Sequence, residues 1–299
     1  MQISSNYSKF ARFLNFGMKL ISDKKELLSY LQSPKVKSGT LGLVPTMGAL
    51  HSGHLSLVKK ALADNKEVVV TIFVNPTQFN NAEDLKKYPK TLDDDLALLK
   101  TLGESITVFA PSVEELYDGN ISSNDYAFDG LDKVMEGEYR EGHFNGVATI
   151  VEMLFELIRP DRAYFGEKDF QQLQIVNRLS ESLPFEVKVI GCPIVREPNG
   201  LAMSSRNRRL SGPMRDKAKL IYHTLKEVRR MFGTENATTL HEYVSGVFAE
   251  EEEMKLEYFQ IADVQTLTPI INKQKNRKYR GFIAVYVEGI RLIDNIALN

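Results

Sequence analysis

The sequence offers a single cysteine, Cys192, among its 299 residues. No internal disulfide can form from one cysteine, and a reducing compartment, the cytoplasm, is expected. The formal net charge is -1, so no basic field favours nucleic acid as a partner. No apolar run approaches the roughly 20 residues that span a bilayer, and no membrane partner is expected.

Residues 1–17 contain Lys9 and Arg12 but no continuous apolar core, and they therefore do not form a secretory signal. They carry no motif, whereas Met18 opens an apolar-periodic segment of its own. We expect residues 1–17 to be a disordered extension and Met18 to be a candidate start of the natural chain.

Apolar runs alternate with amphipathic segments between residues 18 and 193. Hydrophobic residues make up 43% of the chain and charged residues 26%, which is typical of a soluble globular protein with a sizeable core. Strands are predicted at Leu41–Val44, Glu67–Val74, Ile106–Ala110, Arg162–Phe165 and Glu186–Ile190. Helices are predicted between them, at Leu55–Leu62, Leu92–Leu102, Phe144–Ile158 and Phe170–Leu179. This alternation predicts an α/β fold, a Rossmann-like doubly wound parallel sheet, in residues 18–193.

The pattern changes after Cys192-Pro193. A polar loop leads into predicted helices at Pro213–Phe232 and Thr239–Glu252, and strands are predicted at Lys255–Asp263, Phe282–Val287 and Arg291–Ile296. Helices followed by antiparallel strands are typical of an α+β domain. Residues 194–299 are therefore predicted to form a smaller C-terminal α+β lid domain.

Two histidines follow the first predicted strand, in His51-Ser52-Gly53-His54, where a helix begins. The carboxyl ends of parallel strands bind ligands, and unpaired N–H groups at a helix N-terminus suit phosphate. We expect both histidines to project from one face of the helical turn. From the spacing alone, the two histidines could equally be surface residues that lie three positions apart by chance. A zinc site is less favoured, because the pair lacks the glutamate of HExxH and no third ligand is evident.

Three other polar stretches follow strands or lie in the loop after Cys192: Asn75–Phe79, Gly166–Gln172 and Met203–Asn207. Lys168 could hold a phosphate or be a solvated loop lysine. Asp169 could bind a ribose hydroxyl or cap the next helix. The amides of Gln78 and Gln172 can both donate and accept hydrogen bonds to a substrate. The hydroxyls and arginine of Met203–Arg206 can surround a polyphosphate.

Five segments together resemble the pantothenate synthetase family of HIGH-type adenylate-forming enzymes. They are PTMGALHSGH at 45–54, FVNPTQF at 73–79, GEYREGHFNGVATIV at 137–151, RPDRAYFGEKDFQQL at 159–173 and LAMSSRN at 201–207. Ser52 stands where glutamate is common in the family, and Glu141 where proline is common. The family's motif does not assign substrate binding to the side chain at either position.

The resemblance implies that ATP and pantoate give pantoyl adenylate and pyrophosphate, after which β-alanine displaces AMP. It implies Mg2+, held largely by ATP oxygens and water rather than by protein ligands, and a homodimer. Gln78 and Gln172 match the pantoate-binding glutamines, and Gln78 is also placed next to β-alanine. His54 is implied as proton donor, with His51, Lys168 and Arg206 as the other catalytic groups. The residues implied to contact ATP are Met47, Gly48, Ala49, Leu50, His51, Ser52, Gly53, His54, Gly166, Glu167, Lys168, Asp169, Val195, Met203, Ser204, Ser205 and Arg206.

Three other functions stay open at this point. A nucleotidyltransferase could move AMP onto a phosphorylated acceptor, although Gln78 and Gln172 are neutral and such an acceptor would need basic residues. A nucleic-acid-binding relative of tRNA synthetases would need a basic face or an added domain. A non-catalytic ATP-binding regulator is the third, and the intact histidine, lysine and Ser-Ser-Arg sets argue against it.

Overall fold

The computed structural model describes residues 18–103, 105–270 and 272–299, and the expected extension of residues 1–17 lies outside them. The strands of the described residues, numbered in chain order, are β1 (Lys19–Ile21), β2 (Leu41–Thr46), β3 (Glu67–Ile72), β4 (Ile106–Phe109), β5 (Arg162–Gly166), β6 (Lys188–Cys192), β7 (Met254–Asp263), β8 (Tyr279–Val287) and β9 (Ile290–Ala297).

The α-helices are named by their bounds. They are Lys24–Leu31, Pro34–Lys37, Ser52–Asp64, Ala82–Lys87, Leu92–Lys100, Val113–Tyr117, Glu136–Tyr139, His143–Ile158, Phe170–Ser182, Gly212–Lys217, Lys219–Met231 and Ala237–Ala249. Short 3-10 helices lie at Pro76–Gln78, Glu167–Asp169 and Ser205–Arg209. In the described parts of the chain, no helix combines the length and the apolar character needed to cross a membrane.

The described residues divide into two compact units, each built from several chain segments. The first unit comprises the residues up to Tyr126 together with Gly142–Gly166 and Val176–Cys192. The second unit comprises Ala127–Glu141, Glu167–Ile175 and Pro193–Asn299. The division into residues 18–193 and 194–299 stays a prediction, and this grouping differs from it by placing Ala127–Glu141 and Glu167–Ile175 with the C-terminal residues.

The first unit contains a six-stranded parallel sheet in the order β1-β4-β3-β2-β5-β6, which confirms the predicted doubly wound α/β fold. From β2 the chain adds β3 and β4 on one side and then returns to add β5 and β6 on the other. The strand order therefore reverses between β2 and β5. In open parallel sheets, ligands bind at the carboxyl ends of the strands beside such a switch point.

Apolar side chains explain how the first unit folds around this sheet. Val68, Val69 and Val70 of β3 are all buried, as expected for a parallel strand covered on both faces. Helix Ser52–Asp64 buries Leu57, Val58 and Ala61, whose spacing forms one helical stripe. They belong to the same apolar cluster as Val68 and Val70. Packing against the sheet thus holds the start of this helix at the end of β2.

The structure adds one strand that the sequence patterns did not predict. β1 has only three residues and pairs in parallel with β4 at the edge of the sheet. The following helix, Lys24–Leu31, was predicted with Ser22 or Asp23 as its cap. Asp23 is the residue whose carboxylate accepts the hydrogen bond from the N–H of Glu26, at 2.8 Å.

The second unit holds the antiparallel sheet β7-β8-β9, which confirms the predicted α+β character of the C-terminal part. Helix Lys219–Met231 buries Ile221, Leu225 and Val228 in the same core as the sheet. The prediction of one helix over Pro213–Phe232 is wrong. The buried Ala218 has a ψ of -12°, and its N–H donates to the backbone carbonyl oxygens of Asp216 and Met214 in a tightened turn. Separate helices, Gly212–Lys217 and Lys219–Met231, lie on either side of it.

Candidate active site

In the first unit, a tight turn follows β2. The Thr46 hydroxyl donates to the carbonyl of Thr71 at 2.7 Å and accepts from the N–H of Gly48 at 3.2 Å. Gly48 and Ala49 both have positive φ, +79° and +49°. A Cβ on residue 48 would also lie 3.0 Å from a carboxylate oxygen of Asp95. Glycine at position 48 therefore serves both the left-handed backbone and the close approach of Asp95.

Asp95 holds this turn from the neighbouring helix Leu92–Lys100. Its carboxylate accepts hydrogen bonds from the N–H groups of Ala49 at 3.0 Å and Leu50 at 2.7 Å, and it is almost fully buried. Sequence reasoning missed this role. The signal was present, because Asp95 lies three residues after Leu92 and four before Leu99, on the apolar face of its helix.

His51 and His54 lie together where helix Ser52–Asp64 begins. The prediction that both project from the helical turn is wrong for His51, which is the N-cap with extended backbone. Its Nδ1 accepts the N–H of Gly53 at 3.1 Å, so in neutral His51 the proton is on Nε2. The ring centroids of His51 and His54 are 4.1 Å apart. The turn thus presents two imidazoles beside the positive end of a helix dipole.

Gln78 contacts Met47, the first residue after β2. Gln78 lies in the 3-10 helix Pro76–Gln78 after β3 and is buried. Its Nε2 donates to the sulfur of Met47 at 2.9 Å, and its Oε1 accepts from Asn75 Nδ2 at 3.2 Å. Nδ1 of His143 lies 2.8 Å from the Gln78 carbonyl oxygen. These contacts fix which side of the Gln78 amide is the donor.

Asn75 connects this segment to helix His143–Ile158. Its Nδ2 donates to the carbonyl of Gly146 at 3.0 Å, and its Oδ1 accepts from the hydroxyl of Tyr117 at 2.5 Å. A Cβ on residue 146 would lie 2.2 Å from the carbonyl oxygen of Thr77. The close packing of the helix against Pro76–Gln78 therefore requires glycine at position 146. Tyr117 was not among the residues singled out from the sequence.

In the second unit, Lys168 lies in the 3-10 helix Glu167–Asp169, which follows directly after Gly166, the last residue of β5. Its ammonium is 3.9 Å from the carboxylate of Asp169, and its side chain is 20% exposed. Gln172 is half-buried, and within the described ranges its amide has no hydrogen-bonding partner. The amide of its neighbour Gln171, by contrast, bonds the backbone of Leu131, Val134 and Glu136 and is structural.

The second unit also orders the segment Met203–Arg206. The N–H of Met203 donates to the carbonyl of Val195 at 3.0 Å, so two residues predicted to contact ATP lie side by side. The Ser204 hydroxyl accepts from the N–H of Arg206 at 3.2 Å and caps the 3-10 helix Ser205–Arg209. Ser205 is buried. The structure thus places Ser204, Ser205 and Arg206, which the sequence predicts to contact ATP, in one capped 3-10 turn.

Several arginines surround one buried carboxylate in the second unit. Arg291 donates two hydrogen bonds of 2.7 Å to Glu136, and Arg140 lies 3.5 Å from it. Burial opposes ionisation of Glu136, but the hydrogen bonds and charge of Arg291 prevail and hold its pKa at about 2. Burial lowers the pKa of Arg140, and the positive charges of Arg206 and Arg291 act in the same direction. The negative charges of Glu136 and Asp169 act in the opposite direction, so arginines and carboxylates of the second unit lie close together around Arg140.

The described residues contain no group of three or more histidine, cysteine, aspartate or glutamate side chains placed to hold a metal ion.

A doubly wound parallel sheet with paired histidines at a helix N-terminus, next to its switch point, defines a nucleotide-binding α/β enzyme. Residues 19–297 match the family model described as pantoate-beta-alanine ligase. The chain belongs to the pantoate-β-alanine ligase family, which confirms the resemblance identified from the five segments.

Two pantothenate synthetases are similar to this chain over more than nine tenths of its length. The pantothenate synthetase of Christiangramia forsetii is 53% identical over 282 residues, covering 94% of this chain and 100% of the relative. That of Flavobacterium psychrophilum is 53% identical, with coverages of 92% and 96%.

Two crystal structures are similar over 94% of this chain. Pantothenate synthetase from Thermus thermophilus has a TM-score of 0.86 at 40% identity, with 99% of its chain covered. Pantoate-beta-alanine ligase from Francisella tularensis, complexed with beta-gamma ATP and beta-alanine, has a TM-score of 0.77 at 36% identity, with 98% covered.

Proposed function

We propose that this chain condenses pantoate with β-alanine at the expense of ATP, through a pantoyl adenylate, and releases pyrophosphate and AMP. Membership of the pantoate-β-alanine ligase family supports this reaction, and the relative from Francisella tularensis is complexed with an ATP ligand and β-alanine. The observation that best supports the proposal is the turn after β2, beside the switch point of the sheet. It places His51 next to His54, and Asp95 holds its backbone.

Adenylation joins two anions, pantoate and ATP. A carboxylate oxygen of pantoate attacks the α-phosphorus, and the bond from this phosphorus to the α,β-bridging oxygen breaks to release pyrophosphate. Negative charge grows on the phosphate oxygens during this step, so preorganised donors accelerate it. We assign that role to the N–H groups at the start of helix Ser52–Asp64 and to the imidazoles of His51 and His54. His54 supplies a proton or a hydrogen bond to the α-phosphate region.

The second unit contains further cationic groups that we propose as ATP contacts. Lys168 is a point charge for phosphate oxygens, and Arg206 with the hydroxyls of Ser204 and Ser205 can bind several oxygens at once. The remaining ATP contacts are proposed for the backbone at Met47–Leu50, Gly166–Glu167, Val195 and Met203, with Asp169 bonding a ribose hydroxyl or orienting Lys168.

The amides of Gln78 and Gln172 are proposed to bind pantoate. Because Gln78 Oε1 already accepts from Asn75, its Nε2 is the group available to donate a second hydrogen bond. The neutral amine of β-alanine then attacks the acyl carbon, and AMP leaves with the electron pair of the acyl–oxygen bond. No side chain has to form a covalent intermediate, because the adenylate itself carries the good leaving group.

Magnesium, a homodimer and a cytoplasmic location belong to the proposal as well. Because few acidic side chains fall in the five segments, we expect ATP oxygens and water to hold the magnesium that the family resemblance implies. The single, buried Cys192 suits a reducing compartment.

The test is the release of AMP from ATP and pantoate, compared between β-alanine and other amines such as glycine and 4-aminobutyrate. We expect AMP and pantothenate to appear in equal amounts and only with β-alanine, and pyrophosphate to appear in a single burst when the amine is omitted. AMP release that needs no pantoate would contradict the proposal. So would transfer of AMP onto a phosphorylated acid in place of pantoate.

A further inference from the structure

Asn295 on β9 connects the C-terminal sheet to the segment that carries Lys168. Its Nδ2 donates to the carbonyl oxygens of Glu167 and Lys168, at 2.9 Å each, and it is almost fully buried. One side-chain amide therefore fixes two successive peptide groups of the 3-10 helix Glu167–Asp169. None of the five segments that carry the family resemblance includes Asn295.

The orientation of the Asn295 amide is itself fixed. Arg280 donates a short hydrogen bond to Asn295 Oδ1, and its second terminal nitrogen donates to the carboxylate of Glu167 at 3.1 Å. The Arg280 guanidinium lies over the ring of Phe170, 4.1 Å from its centroid. Because Arg280 can only donate, it forces Oδ1 toward itself and Nδ2 toward the Glu167 and Lys168 carbonyls.

The preceding residue on β9 holds the second ATP-binding segment of this unit. The carboxylate of Asp294 accepts from both terminal nitrogens of Arg196, at 2.6 and 3.0 Å. Arg196 pairs with Ala202 in the hairpin that leads into Met203–Arg206. Two consecutive residues of one strand thus anchor both the Lys168 segment and the Met203–Arg206 segment.

We propose that Asn295 is a positioning residue for adenylation, which acts by holding the backbone of Glu167 and Lys168 so that the Lys168 ammonium meets the phosphates of ATP. This inference rests on the proposed function. Lysine has a long, flexible stem, and only its backbone end can be held without blocking the charged end. A displacement of about 1 Å in a catalytic group can cost about 100-fold in rate, so the anchor matters for the reaction.

The variants Asn295→Asp and Asn295→Ala test this inference. Asn295→Asp keeps the size of the side chain but replaces the Nδ2 donor by an acceptor. Asn295→Ala removes both the Nδ2 donor and the Oδ1 acceptor without adding charge. Asn299→Asp is the matched control, because Asn299 also ties backbone groups of this unit, donating to Arg277 and accepting from Tyr279. Lys168→Ala and the double variant Lys168→Ala with Asn295→Ala complete the set.

Two half-reactions are measured for each variant. The first is single-turnover formation of pantoyl adenylate, and the second is pantothenate formation from supplied pantoyl adenylate and β-alanine. We expect both Asn295 variants to slow the first about 10- to 100-fold and to leave the second within about threefold, with Asn299→Asp near wild type in both. On the Lys168→Ala background, Asn295→Ala should slow adenylation by less than about threefold, because the group that it positions is gone.

Three results would overturn the positioning role: equal loss in both half-reactions, full additivity with Lys168→Ala, or unchanged adenylation in both Asn295 variants. These failures differ from a failure of the proposed function, in which the wild-type chain itself forms no pantoyl adenylate.

Discussion

The carboxylate of Asp95 accepts a hydrogen bond of 2.7 Å from the backbone N–H of Leu50, 45 residues earlier in the chain. The bond joins the helix Leu92–Lys100 to the turn that precedes the paired histidines. A buried carboxylate that accepts backbone N–H groups forms hydrogen bonds stronger than those between neutral partners. The geometry of the turn is therefore set by a residue outside the histidine motif.

We expect Asp95→Asn to lower the free energy of unfolding by about 2 to 3 kcal/mol. The amide has one oxygen for the N–H groups of Ala49 and Leu50, and its own NH2 group faces a donor. Adenylation should slow at least about tenfold, since the turn moves. Urea unfolding and single-turnover adenylation measure the two effects. Asp94→Asn, at the exposed neighbouring position, should change stability by less than about 0.5 kcal/mol, and equal effects of both substitutions would contradict the role of Asp95.

His54→Ala should slow pantoyl adenylate formation by about 100- to 1000-fold if the imidazole stabilises charge in the transition state. The affinity for ATP should fall much less, because ground-state contacts are shared among many donors. Attack by β-alanine on supplied pantoyl adenylate should be less affected, since pyrophosphate has already left. Rapid-quench measurements separate the steps, with His223→Ala, at an exposed position, as control. An equal loss in both half-reactions would instead indicate that His54 holds the AMP moiety.

Gln78→Ala and Gln172→Ala should each raise the KM for pantoate far more than the KM for ATP, by about tenfold or more, since each removes a proposed hydrogen bond to pantoate. The loss should be larger for Gln78, whose amide is held by Met47 and Asn75 before any ligand binds. Steady-state kinetics with each substrate varied in turn measure the effect. Gln32→Ala, at an exposed position, is the control. A pantoate dependence unchanged in both variants would remove both residues from the pantoate site.

The Glu136 carboxylate gives the fold a defined acid sensitivity. Its pKa is about 2 in the folded chain, against an ordinary value of 4.5, so it contributes stability above about pH 4.5 that is lost as the pH falls toward 2. The difference corresponds to about 3 kcal/mol, of which about 1 kcal/mol should be gone by pH 3.5.

Urea unfolding of wild type and Glu136→Gln between pH 7 and 3.5 measures this contribution. The variant should be less stable at pH 7, because the half-buried Arg291 loses one of its two carboxylate partners and keeps Glu257. The stability difference between the two proteins should shrink as the pH falls below about 4.5. A difference that stays constant over this range would show that ionisation of Glu136 does not stabilise the fold.

Periodicity predicted the strands and helices that are long and strongly patterned. The run Glu67–Val74 predicted β3 because a parallel strand buried on both faces is apolar throughout. The three residues of β1 are too few to show a period, and their pairing with β4 is a long-range contact. The break at Ala218 was hidden because alanine favours a helix and gives no local sign of a tightened turn.

Motifs singled out candidate substrate-binding residues, but not the residues that hold their segments in place. His51, His54, Lys168 and Arg206 were identifiable from residue type and position after strands. Asp95 lies in the acidic run Asp93–Asp95 at a helix start, where acidic residues are ordinary, so its position on the apolar face of the helix did not single it out. Asn295 lies in a strand and acts on a segment 127 residues away in sequence, so no local pattern could indicate it.

The ion pair between Glu136 and Arg291 spans 155 positions of the chain, and this sets an order of events during synthesis. At about 5 to 20 residues per second, the ribosome needs about 8 to 30 s to reach Arg291 after it has made Glu136. Until then the carboxylate lacks the two hydrogen bonds from Arg291 that hold it in the folded chain, and the segment Ala127–Glu141 cannot take its final place in the second unit. The first unit's β2, β3 and β4 have their partners much sooner, so the nascent chain should complete its parallel sheet before its C-terminal core.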